Sequence, residues 1–495
     1  MLFNSLSFIG FFLIAVITFL VIPKKLRCFW LVLLSYYYYM IWNPKYAILL
    51  TFSTVLTYFG GRLLNYDSIS SKVRIKKIVI TLCCLINIGL LVFFKYAQFL
   101  IGNLNLLFQK FGFENIGLSA EFIMTIGISF YTFQSLGYLI DVYRNEIPAE
   151  KNFLKLTLLI SFFPKLLSGP IEPSKDFLEQ INNIEKIRGW DYRRVANGLV
   201  LMLWGFFVKM VIADRSAILV NTVFDSYMSY YSVELFVAAV VYSIQIYCDF
   251  MSYSTVALGA AQVLGFSITD NFNTPYFSKS IKEFWRRWHI SLSLWLRNYL
   301  YIPLGGSRCS KARKYLNLMI TFLVSGLWHG ANWTYVAWGG IHGLYQVIGD
   351  VLSPLKKRVT VHMNTQCFSY RLGSVVITFL LTTFAWIFFR SSTINDGCYY
   401  IKRMFLKIDL WALSDGTLYT LGLDRIEMNI LVVGLAVLLF VDLLRYLKNK
   451  KIDAFLENQN LWFRWGAIFA LIFAIIIFGK YGANFDAQQF IYFQF

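Results

Sequence analysis

Apolar runs recur from one end of the chain to the other, separated by short polar stretches rich in Lys and Arg. About 20 apolar residues of helix cross a hydrocarbon core of about 30 Å. On that measure the pattern predicts spans near residues 2–22, 28–43, 46–64, 78–94, 119–142, 194–218, 232–250, 315–330, 333–350, 372–390, 428–446 and 463–480. Shorter apolar pieces near 97–108, 154–169 and 254–266 read as interfacial or re-entrant. The longest polar stretch, about 391–427, is too short for a soluble domain, and no internal repeat stands out. The prediction is an all-α polytopic membrane protein with about 11–13 transmembrane helices plus re-entrant or interfacial ones. It forms a single domain over 1–495, with 276–350 as its core segment.

Composition agrees with the pattern. Of 495 residues 58% are hydrophobic and 15% charged, against about 25% charged in a typical soluble domain. Phe, Tyr and Trp reach 19%, a surplus that lipid and aromatic belts at the interface absorb. The formal charge of +19 is not a nucleic-acid footprint, because the cations sit in clusters between apolar runs. Lys24, Lys25 and Arg27, then Lys72 to Lys77, Arg308 to Lys314, Lys356 to Arg358, and Arg445 to Lys451 can all face the cytoplasm. The positive-inside rule then puts both termini on the extracytoplasmic side. The first run has no basic n-region and no A-x-A site, and reads as a retained span.

Seven Cys, with no C-x-x-C, read as packing residues. There is no Walker A, Rossmann fingerprint or G-x-S-x-G elbow, and the His spacings fit no metal motif. The expectation is no bound metal and no tightly held cofactor.

Three of the four His lie in the most motif-like region, and His362 reads as a loop residue. Ile281, Phe284, Trp285, Trp288, Leu292, Leu296 and Tyr299 make a stripe at helical spacing, predicting one amphipathic helix over 281–299. His289 borders that stripe beside a strip of Lys282, Arg286, Ser293 and Arg297. The cations suit lipid headgroups first, and phosphates of a donor second. His289 suits chemistry or a structural bond alike. Thr321, Ser325 and His329 form a polar line at i, i+4, i+8, and Gly326 and Gly330 permit close approach or a helix break. Fifteen residues separate His329 from Lys314, about 22 Å of helix, which sets His329 deep in the membrane. An ionisable group there is a functional candidate by default, with a structural hydrogen bond as its alternative. His342, between Gly340 and Gly343, reads as a supporting residue. Gln245, Asp249 and Ser252 share a face that lines a tunnel or pairs within the bundle.

Several stretches together resemble one family. They are Ser129-Phe-Tyr-Thr-Phe-Gln134, Asp141-Val-Tyr-Arg144, Phe163-Pro-Lys-Leu-Leu-Ser-Gly-Pro170 and Gln245-Ile-Tyr-Cys-Asp249. Asn271-Phe-Asn-Thr-Pro-Tyr276, Phe284-Trp-Arg-Arg-Trp-His289-Ile-Ser-Leu-Ser293 and Tyr301-Ile-Pro-Leu-Gly-Gly306 follow. Gly326-Leu-Trp-His329-Gly-Ala-Asn332 and Phe490-Ile-Tyr-Phe-Gln-Phe495 complete them. In order and spacing they resemble the membrane-bound O-acyltransferase (MBOAT) family, in its alginate and peptidoglycan O-acetyltransferase branch. Where relatives carry Gly-Tyr-Ser-Asp after the Asp249 region, this chain has Ser252-Tyr-Ser-Thr255.

The resemblance implies a ring of helices around a thin floor crossed by a tunnel, with His329 at its middle and His289 as the second polar position. It implies acyl transfer, most often of acetyl, from a cytoplasmic thioester such as acetyl-CoA to a hydroxyl of an exported polysaccharide. An extracytoplasmic partner of the SGNH type would complete the transfer. Within that reading Trp328 and Asn332 shape the floor and donate to a developing oxyanion, and Ser325, Gln245 and Asp249 line the tunnel. Lys282, Arg286 and Arg287 contact donor phosphates. D-alanyl transfer to teichoic acid, acylation of a lipid or protein, and transport are the competing readings.

Overall fold

The computed structural model describes residues 1–66, 72–117, 126–481 and 491. Among the described residues every regular element is helical. Seven helices among the described residues are long and apolar enough to cross a membrane: Pro44–Leu64, Val73–Lys110, Tyr192–Asp225, Ser232–Val263, Phe368–Arg390, Arg425–Lys448 and Leu461–Phe478. Leu6–Val21 is apolar but shorter. Helices at Arg27–Met40, Lys311–His329 and Trp333–Val351 occupy three further expected spans. The expected span near 119–142 begins on residues 119–125, outside the described residues, and continues as Ile128–Tyr143.

Side chains set many of the helix starts by accepting orphan N–H groups. Asn43 precedes Pro44–Leu64, with Pro44 at the first turn. Ser310, Asn332, Asp424 and Asn460 do the same for Lys311–His329, Trp333–Val351, Arg425–Lys448 and Leu461–Phe478.

Three expectations change. The span at 78–94 and the piece at 97–108 are one helix, Val73–Lys110, carried through a π-turn at Val92–Tyr96. The span at 232–250 and the piece at 254–266 likewise form one helix, Ser232–Val263. Its polar interruption does not break it, because the hydroxyls bond back within the helix: Ser252 Oγ to the Asp249 carbonyl, Thr255 Oγ1 to that of Met251. The piece at 154–169 is two short helices, Phe153–Ser161 and Phe163–Leu166, with Pro164 opening the second.

The chain divides into two compact units. The first holds Met1–Val195 and Ala260–Thr269. Within it, Gly60 and Gly61 let Pro44–Leu64 lie against Cys83 and the Tyr138 ring. Polar residues of two motifs lock together: buried Lys165 donates to Gln134 Oε1 at 3.0 Å, and Glu172 accepts from the N–H and hydroxyl of Thr269. The Phe163-Pro-Lys and Tyr-Thr-Phe-Gln134 motifs thus meet each other inside this unit.

The second unit holds Ala196–Gly259 and Asp270–Phe495. At its centre Lys311–His329 and Trp333–Val351 form a hairpin of unusual closeness. A Cβ on Gly326 would overlap the Tyr335 carbonyl, and one on Gly339 the Phe322 carbonyl. Glycine at both positions lets the backbones touch. Outside the spans, Asp270 accepts from Arg445 at 2.6 Å and pairs with Lys451 at 3.1 Å. Burial opposes ionisation of Asp270, but those two cations hold its carboxyl below the usual range.

Two outcomes follow. Gly326→Ala should destabilise the protein by about 1–3 kcal/mol or more through overpacking; a melting temperature in detergent equal to that of the parent would contradict this close approach. The Asp270 carboxyl titrates lower folded than unfolded, so its contribution is complete above the unfolded value of about 3.9 and fades as pH falls through the folded one. Asp270→Asn should therefore melt lower than the parent at pH 7, with the gap closing below about pH 3.9.

Candidate functional site

His329 is the last residue of Lys311–His329 and is 2% exposed. Gly330 follows in an extended conformation, and a Cβ there would overlap the Tyr335 ring. The His329 ring lies 5.0 Å from Trp328, 5.1 Å from Trp338 and 5.5 Å from Phe389, centroid to centroid, all edge-on. Ser325 is buried one turn below it. The polar line extends one step further than the sequence reading took it. Thr321 Oγ1 donates to the Asn317 carbonyl, and buried Asn317 donates to the Gly306 carbonyl, tying the helix to the loop before it.

His289 departs from expectation. The predicted helix over 281–299 is broken into Ile281–Arg287 and Ile290–Leu296, and His289 between them takes φ 42° and ψ 56°. A periodic stripe cannot reveal the cause, which is a backbone clamp from a distant segment. Asn273 N–H bonds to the Arg287 carbonyl, Ile290 N–H to the Asn271 carbonyl, and Ser291 N–H to Asn271 Oδ1. The break turns His289 fully inward, away from the cationic strip it was expected to border. Its ring meets Phe250 at 4.6 Å, Trp328 at 5.8 Å and His329 at 6.3 Å. The two imidazoles therefore share one buried aromatic chamber, with Trp328 against both.

His342 supports that chamber. Trp285 Nε1 donates to His342 Nδ1 at 3.2 Å, which assigns the ring proton to Nε2. Trp338 packs on His342 at 5.0 Å and on His329, so one indole spans both rings.

The cations separate from the histidines. Lys282 and Arg286 are exposed and line a cavity of about 430 Å³ with Asn273, Ser280, Glu283 and Arg287. Arg287 is engaged already, with Glu283 at 2.9 Å and with Thr274 Oγ1 and the Asn273 carbonyl.

A second cavity, of about 360 Å³, brings Gln245, Asp249 and Asn332 together. Asn332 donates to the Ser392 carbonyl and accepts the Thr334 N–H, so it works as a helix cap in the cavity wall. Phe389, which also packs on the His329 ring, and Tyr335 complete that side. Trp328 and Ser325 are not in this wall.

The same cavity holds residues that sequence reasoning missed. Lys209 Nζ lies 2.6 Å from Asp249 Oδ1 and 2.8 Å from Asp214 Oδ1, all three buried. Lys209 and Asp214 stand at i and i+5, a spacing an α-helix would not align. The π-turn at Val208–Ala213 aligns them. It also leaves the Met210 carbonyl to accept the Lys480 N–H. The remaining Asp249 oxygen accepts the Ile491 N–H at 2.8 Å. Of the C-terminal motif 490–495, only Ile491 lies within the described residues. A Lys and an Asp inside an otherwise apolar run were the available signal.

Among the described residues no group of three or more His, Cys, Asp or Glu is placed to hold a metal ion. The chamber offers two buried imidazoles, a setting suited to proton transfer.

Comparison with known proteins fits this geometry. A profile of the membrane-bound O-acyltransferase family, MBOAT, matches residues 146–393, which include His289, His329 and His342. The probable alginate O-acetylase AlgI of Pseudomonas aeruginosa is 35% identical over 86% of this chain and 78% of its own length. A peptidoglycan O-acetyltransferase of Helicobacter pylori is 33% identical over 81% of this chain and 77% of its own length. A teichoic acid D-alanyltransferase of Bacillus subtilis is 27% identical over 46% of this chain and 58% of its own length. A helical membrane protein with paired buried histidines, matched over half its length by the family profile and over most of it by such relatives, belongs to the membrane-bound O-acyltransferase family.

Proposed function

We propose that this membrane O-acyltransferase moves an acetyl group from a cytoplasmic thioester, such as acetyl-CoA, for O-acetylation of an exported or cell-surface polysaccharide. The observation that carries the reading is the His289–His329 pair, 6.3 Å apart in one aromatic chamber. Acetyl is favoured over D-alanyl because the acetyltransferase relatives align over 86% and 81% of the chain and the D-alanyltransferase over 46%. An extracytoplasmic SGNH-type partner would complete delivery to the glycan.

In this reading the acceptor hydroxyl attacks the thioester carbonyl while His329 takes its proton as general base. The tetrahedral intermediate collapses, the acyl–oxygen bond is kept, and the thiolate leaves with that proton. His289 orients a reacting group, and Trp328, against both rings, supplies an indole N–H toward the developing oxyanion. Exposed Lys282 and Arg286 meet the donor phosphates, with Arg287 holding the cavity wall through Glu283. The membrane is the bacterial inner membrane, and both termini are extracytoplasmic.

His329→Ala should lower acetyl transfer by about 10²–10⁴-fold at matched membrane abundance. Acetyl content of the surface glycan checks it, and undiminished acetylation would remove His329 from the mechanism. An acetyl adduct on His329 after incubation with acetyl-CoA would instead make it a covalent carrier. For topology, exposed Cys309 lies in the basic stretch before Lys311, and exposed Cys398 lies beyond Arg390. An impermeant maleimide should label Cys398 in intact spheroplasts and Cys309 only after lysis; the reverse would invert the orientation.

A further inference from the structure

The cavity beside His329 carries a charge pattern that points to what it admits. Two cations, Lys209 and Arg390, line it against three carboxylates, Asp214, Asp225 and Asp249. Arg390 pairs with Asp225 at 2.8 Å. Among the described residues of the wall, Lys209 is the cation that pairs with both Asp214 and Asp249, so one formal negative charge is left over among them. Two acceptor atoms in the same wall also lack a hydrogen-bond partner among the described residues, Asp214 Oδ2 and Gln245 Oε1. Asp214 is 1% exposed and Gln245 7%. A wall that offers acceptors and a surplus negative charge favours donors and repels anions.

We propose that this cavity selects an uncharged, hydroxyl-bearing acceptor over an anionic one, and that Lys209 is a positioning residue that holds Asp214 and Asp249 for this purpose. The inference rests on the acyl-transfer reading for the identity of the guest, since a hydroxyl is the group that reading brings to His329. An acidic glycan chain would then not enter itself; its acetyl would pass first to a neutral hydroxyl. Lys209 acts through the two carboxylates, without touching the reacting atoms.

The test reads the cavity's potential without requiring turnover, so it stands apart from the acyl-transfer reading. Ser391, in the cavity wall, is replaced by Cys, and the full-length protein in nanodiscs is treated with methanethiosulfonates of matched size. One is cationic (ethyltrimethylammonium) and one anionic (ethylsulfonate). Peptide mass spectrometry follows position 391 alone. The cationic reagent should react faster by about tenfold relative to its ratio on free cysteine. Asp214→Asn in the same background should bring the ratio toward one, and Lys209→Met should raise it further. Opposite shifts from two variants of one cluster are not what loss of folding would produce. An anionic reagent that reacts as fast, or a ratio unmoved by Asp214→Asn, would overturn the proposal. If the ratios behave as expected while His329→Ala leaves acetylation intact, the charge selection stands and the acyl-transfer assignment falls.

Discussion

An imidazole buried among indole and phenyl rings is held by shape, and the second unit is organised around that constraint. Water is not at hand to replace a lost contact in such surroundings, and an unsatisfied polar group there is costly. The ring must therefore stay where its neighbours put it. Gly326 and Gly339 bring two helix backbones into contact, which fixes Trp338 over His329 and carries it on to His342. Asn271 and Asn273 fix the other side by holding the backbone on both flanks of His289 in a conformation that few non-glycine residues adopt. Neither histidine owes its place to its own helix alone.

The second constraint is charge. Ion pairs taken out of water recover their desolvation cost only with close geometry. The second unit meets that requirement in few places: Asp270 with Arg445 and Lys451, Arg215 with Glu427 at 2.5 Å, and Lys209 with Asp214 and Asp249. The first two each set one carboxylate against two cations, Asp270 against Arg445 and Lys451, and Glu427 against Arg215 and Lys480. The third carries an excess carboxylate midway along two helices and lines a cavity, which is a poor arrangement for stability alone. Its cost is better understood as maintained for what the cavity admits.

Much of this could be read from residues, and what could not has a common physical origin. Apolar runs located Pro44–Leu64, Phe368–Arg390 and Arg425–Lys448, because lipid imposes its length requirement locally. Gly326 and Gly330 signalled close approach and a helix end, and both occur. Helical spacing failed wherever a contact from elsewhere in the chain overrode it. The stripe over 281–299 is real as a pattern, yet the clamp from Asn271 and Asn273 breaks the helix at His289. The Lys209–Asp214 pair was invisible to an α-helical period because a π-turn creates it. Phe389 and Trp338 were two aromatics among many until packing selected them.

The two cavities described above share no lining residue, and each is lined by a residue close in sequence to one histidine. Arg287 lines the first, and His289 follows two residues later; Asn332 lines the second, three residues after His329. The rings themselves are in each other's reach at 6.3 Å. The first cavity has exposed Lys282 and Arg286; the second has a surplus carboxylate and unpaired acceptor oxygens. In the proposed reading a phosphate-bearing thioester would be drawn to the one and repelled by the other, whereas an uncharged hydroxyl would not be repelled by the second. Opposite potentials at the two cavities would keep donor and acceptor from exchanging places. Direction across the membrane can then come from electrostatics set by a handful of side chains, with no need for the protein to change shape between one substrate and the next.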